Sequence, residues 1–139
     1  MTLTEILPAL AGLAFVIYLV RFAAAYDHSA SSNWMLPAVL SLIFLAFSVA
    51  AVATEGLFGF WTEHTRTLWG NQVWFDLLLA AGIAWSLILP QARSLGMKSA
   101  PWIVAVCLTG CIGLLAMYAR VLYLRSRQRD SSPSILKAA

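Results

Sequence analysis

The sequence predicts an all-α membrane protein, folded as an antiparallel bundle of four transmembrane helices. Three observations carry that expectation. Of 139 residues, 61% are hydrophobic and only 11% charged, with a mean hydropathy of +0.81, whereas soluble domains carry roughly 25% charged residues. The apolar residues gather into four stretches, about 6–25, 34–54, 73–90 and 101–124, each near the ~20 residues that carry a helix across ~30 Å of hydrocarbon. The links between them are short, and the tail 126–139 has too little apolar content to pack. A single membrane domain, residues 1–125, accounts for the rest, with no room for a soluble catalytic module.

The first stretch resembles a signal peptide in ending on Ala23-Ala24-Ala25, but its start, Met1-Thr2-Leu3-Thr4-Glu5, has no Lys or Arg. Its apolar run also exceeds the ~7–15 residues of a signal core, so it reads as an uncleaved anchor. Tyr26 to Asn33 forms a polar hairpin. Asn33 is placed to cap the second helix, and Pro37 falls in its first turn, where a missing N–H costs little. The link from Glu55 to Gly70 mixes aromatic and titratable residues. It suits an interfacial loop or short amphipathic helix, or a lid over a polar pocket. The third stretch borrows Trp69 to Gln72 as a first turn if it needs length, and Pro90 ends it; Ser99 caps the fourth, with Pro101 just inside.

Sidedness follows from Lys and Arg in short loops. Four spans put Arg66, Arg125, Arg127, Arg129 and Lys137 on one side, against Arg21, Arg93 and Lys98 on the other. That predicts both termini in the cytoplasm and the Arg93–Lys98 turn outside. The formal charge of +3 suits anionic headgroups, and nothing points to nucleic acid. No metal or cofactor is expected. Cys107 and Cys111 lack further ligands nearby and read as small packing residues, while His28 and His64 fall in different loops.

Asp76 marks the candidate site. A carboxylate at mid-bilayer costs about 2.5–3.5 kcal/mol on insertion scales, so it usually has a partner or a role. It begins a stripe of small residues, Asp76, Ala80 and Ala84; the fourth stretch has Ala105, Thr109, Gly113, Ala116 and Arg120, and the second has Ser41, Ser48, Ala51 and Glu55. Alternating helix direction then brings Asp76, Arg120, Glu55 and Glu5 to one membrane face beside Glu63 and His64. In this reading Asp76 and Arg120 pair, and one acid is left over to hold or pass a proton.

The segments Asn71 to Asp76, Gln91 to Gly96, Pro101-Trp102, Thr109 to Gly113 and Tyr118 to Arg120 form a pattern along the second half. It resembles that of a group of small bacterial four-helix membrane proteins, which look similar to the plant membrane protein of neoxanthin formation and, more distantly, to integral-membrane terpene cyclases. Two positions depart from it: Gln91-Ala92-Arg93-Ser94 stands where Asp-Ala-Arg-Arg is usual, and Leu114 where Pro follows the glycines. The resemblance implies a bacterial inner (cytoplasmic) membrane protein with an isoprenoid-like ligand. The residues themselves suit a protein that binds, with or without transforming, an apolar lipid-like small molecule. Asp76 or Glu55 would act on its polar end as the catalytic acid, and Arg120, Trp61, Trp69, Trp74 and His64 would hold it. The alternative is a non-catalytic accessory or assembly subunit that packs on other chains of a larger membrane complex.

Overall fold

A computed structural model describes residues 3–24 and 33–130, and among them the chain is all-helical, with six helices and no strand. Two compact units emerge, divided after Ser31. The first holds α1, Leu3–Ala24, whose apolar residues from Leu10 to Val20 are exposed. The side chain of Glu5 and the polar hairpin 26–32 lie outside the described residues.

The second unit runs through α2 (Met35–Glu55), α3 (Gly59–Thr65), α4 (Leu68–Ser94), α5 (Ser99–Thr109) and α6 (Cys111–Asp130). Two of these, α2 and α4, are long and apolar enough to cross a membrane. Asn33 does serve the start of α2: its side-chain oxygen accepts from the Met35 amide at 3.1 Å. Thr67 caps α4, accepting from the Gly70 amide at 3.0 Å, so α4 gains the extra first turn and reaches 27 residues. Pro90 does not end α4, which continues to Ser94. A proline removes one amide bond, and that loss is offset where Ala92 packs, 1% exposed, against Met117 and Val121.

The principal difference from expectation lies in the stretch 101–124, which is two helices and not one span. Gly110 takes φ +57 and ψ −121, a conformation open to glycine and strained for other residues. There the chain doubles back. A Cβ on Gly113 would lie 2.8 Å from the Ala105 carbonyl carbon, and Trp102 packs on the Met117–Val121 cluster, so α5 runs antiparallel along α6. Ala105 and Gly113, read from sequence as one stripe on one helix, instead press against each other across the hairpin. Cys107 and Cys111 flank the turn and are exposed, not packed.

Helix α6 is the centre of this unit, with α2, α4 and α5 packed around it. Trp34 meets Tyr123 edge-on at 5.4 Å, and the Ser41 hydroxyl donates to the Ile112 carbonyl at 3.0 Å. Those two pairs set α2 antiparallel to α6. Trp85, Ile88 and Leu89 of α4, with Leu95 and Met97 of the following turn, pack on Met117 and Val121. Gly96, φ +76, makes that turn, as Leu95 and Met97 donate back to the Ala92 carbonyl. Ser99 is the first residue of α5 and gives no capping bond.

Ser41→Ala tests the α2–α6 register. It removes one buried hydrogen bond, worth about 0.5–1.5 kcal/mol, and thermal denaturation in detergent should register a loss of that size.

Candidate functional site

The polar and aromatic residues singled out from the sequence divide between the two ends of the second unit. At one end stands a corner built by α3 and α4. Here α3 folds back along the first two turns of α4. A Cβ on Gly70 would lie 2.5 Å from the Glu63 carbonyl oxygen and 2.8 Å from that of His64, and Phe60 reaches Trp74 with ring centroids 6.0 Å apart. Only a glycine lets the two backbones approach this closely.

His64 lies in the middle of the corner. Its Nδ1 is 2.6 Å from the Phe60 carbonyl oxygen, its own helix's acceptor one turn back, so Nδ1 carries the proton and donates. The other ring nitrogen, Nε2, is buried and has no hydrogen-bond partner. Trp74 closes the far side, T-shaped to the imidazole at 5.1 Å. Such edge-to-face pairs add roughly 0.5–1.5 kcal/mol to their buried area.

Trp74 is half-buried, whereas Trp61 is 54% and Trp69 79% exposed, on the outer surface of the corner. Glu63 is taken up by Arg66, 3.4 Å away across one helical turn, both side chains well exposed. Exposed pairs of this kind contribute about 0–1 kcal/mol. Glu55 ends α2 and covers Gly59, whose Cβ position lies 3.3 Å from the Glu55 Cβ. Asp76 follows Trp74 by half a turn and is exposed. The two acids thus stand at one end of the unit, on separate helices, with no bond between them among the described residues.

Arg120 is not among them. Its guanidinium lies 5.7 Å from the centre of the Tyr123 ring, which Arg127 also approaches at 5.6 Å, and Tyr123 meets Trp34 at the start of α2. Glu55 is the last residue of that 21-residue helix, about 30 Å away at 1.5 Å per residue. Asp76 lies sixteen positions before Ala92, the α4 residue that packs on Met117 and Val121, or about 24 Å along the helix. The expected Asp76–Arg120 pair therefore does not form. The reason is Gly110: a straight span would have carried Arg120 across to the acids, and the hairpin returns it to the side it came from.

Sequence reasoning passed over Phe60, Thr67 and Gly70, which build the corner. A signal was present. Phe60 and His64 are spaced i, i+4 on one face of α3, and Gly70 precedes Trp74 by the same interval on α4, a small residue beside a ring at the spacing that makes side chains meet.

Comparison with known protein families, with characterised proteins and with solved structures finds no match to this chain.

Proposed function

We propose that this chain is a multi-pass protein of a bacterial cytoplasmic membrane that binds an apolar, isoprenoid- or lipid-like molecule at the α3–α4 corner. The observation that carries the reading is the buried, unpartnered Nε2 of His64, whose ring meets Trp74 where Trp74 also meets Phe60. A buried acceptor without a donor costs about 1–3 kcal/mol, a cost that suits a site completed by something else. Glu55 and Asp76, at the same end of the unit, are acceptors when ionised. With Arg120 at the far end, the polar group of the ligand is a donor, a hydroxyl or an ammonium, and not a carboxylate. The rings of Trp61, Trp69 and Trp74 offer faces to an apolar chain or to positive charge. Binding needs no chemistry, and Asp76 or Glu55 supplies the proton if chemistry follows.

Titrating the purified protein with farnesol while following tryptophan fluorescence tests this. Saturable quenching is expected, at least tenfold weaker in Trp74→Leu and His64→Ala, and reduced in Asp76→Asn. Absence of saturable quenching, together with stoichiometric co-purification of another membrane chain, would put the accessory-subunit reading in its place.

A further inference from the structure

We propose that the α5–α6 hairpin is re-entrant: it enters the bilayer and leaves it through the same face, and that face is the cytoplasmic one. Direction comes first. Trp34 pairs with Tyr123 and Ser41 with Ile112, so α6 begins alongside the second turn of α2 and runs back toward the α2 start. Ser41 lies six residues into α2, about 9 Å below its end. The turn at Gly110 is therefore well inside the depth that α2 spans, and far short of the Glu55 end.

The character of the turn agrees. No charged residue occurs between Lys98 and Arg120. Leu108, beside the turn, is 78% exposed, and Ile103 and Val104 are also exposed, an arrangement suited to hydrocarbon and not to water. Backbone that leaves the helix within a membrane must keep its hydrogen bonds. At Gly110 itself the amide donates to the Val106 carbonyl at 2.7 Å and the carbonyl accepts from Leu114 at 3.3 Å, and the Ser41 hydroxyl donates to the Ile112 carbonyl just beyond.

Charge then assigns the face. Arg93, Lys98, Arg120, Arg125, Arg127 and Arg129 all lie at the end where the hairpin enters and leaves, against Asp130 at the close of α6. The opposite end carries Glu55, Glu63 and Asp76 with Arg66. Basic residues in short segments beside spans stay in the cytoplasm, where anionic headgroups attract them. Trp34 and Tyr123 sit among them as aromatic residues do at headgroup depth. The sequence expectation had separated the Arg93–Lys98 turn from the tail by a full span. The hairpin unites them.

Single cysteines placed in a Cys107→Ser, Cys111→Ser background test this with a membrane-impermeant maleimide applied to intact cells and to broken membranes. Ser94→Cys and Arg129→Cys should label only after breakage, and Thr62→Cys in intact cells. Leu108→Cys should resist the impermeant reagent in both and react with a membrane-permeant one. Ser94→Cys and Arg129→Cys reacting from opposite sides, or Leu108→Cys reacting freely with the impermeant reagent, would overturn the re-entrant hairpin. Both labelling in intact cells would overturn the cytoplasmic assignment. A farnesol titration bears on neither result, since the α3–α4 corner lies at the other end.

Discussion

Gly113→Ala lowers the stability of the protein by about 1–3 kcal/mol, the usual cost of forcing extra atoms into a packed contact, and Gly113→Val by more. Two effects oppose each other at this position. Alanine is the better helix former by about 0.8–1.0 kcal/mol, which alone would stabilise α6. The new Cβ, however, would lie 2.8 Å from the Ala105 carbonyl carbon and 2.9 Å from both the Ala105 oxygen and the Val106 nitrogen. All three are backbone atoms, which cannot swing aside as a side-chain tip can, so α5 has to lift off α6 and the packing term wins. Gly82→Ala is the control: nothing lies within 4 Å of its Cβ position, and the helix-propensity gain should appear undiminished. The pair is read by thermal denaturation in detergent. Equal or higher stability for Gly113→Ala would mean that α5 does not pack on α6 as described.

Gly70→Ala has an effect of similar origin and different reach. Its Cβ would meet the Glu63 and His64 carbonyl oxygens at 2.5 and 2.8 Å, so α3 and the first turn of α4 cannot both keep their places. The short helix gives way first. Seven residues with no buried side chain hold on by little, so the global cost is capped by the free energy of undocking that segment. The expected result is a near-unchanged melting transition with loss of the Phe60–His64–Trp74 contacts, seen as a shift in tryptophan emission and loss of farnesol quenching. A cooperative unfolding at much lower temperature would instead show α3 to be integral to the whole unit.

Much of the helical content was legible in the sequence because hydropathy reports it directly. Asn33, Pro37 and the extra turn before Val73 were read from local rules and stand as read, or within a residue of it. The break at Gly110 was not legible, and the reason is physical. A glycine inside an apolar run is tolerated in a straight helix at about 1 kcal/mol relative to alanine, so Thr109-Gly110-Cys111-Ile112-Gly113 reads equally well as a span. What decides is tertiary: Gly113 opens a groove that accepts Ala105 only when the chain folds back. That one unseen turn propagated into the candidate site, since depth along alternating spans was the ground for grouping Arg120 with Asp76 and Glu55. The residues that build the α3–α4 corner, from Phe60 to Trp74, are near in sequence and need no long-range geometry to meet.

The doubled-back α5–α6 segment also gives the unit formed by residues 33–130 unequal lateral footprints at its two ends. Four helices, α2, α4, α5 and α6, run side by side at the arginine-rich end, and three, α2, α4 and the short α3, stand at the other. With helices about 10 Å across, the difference is roughly 80 Å² of lateral area. A membrane accommodates such a wedge with least cost where its broad side lies on the outside of a bend. With the α5–α6 hairpin re-entrant as proposed, this unit fits membrane that bulges toward the arginine-rich side and would bend a flat one slightly in that sense.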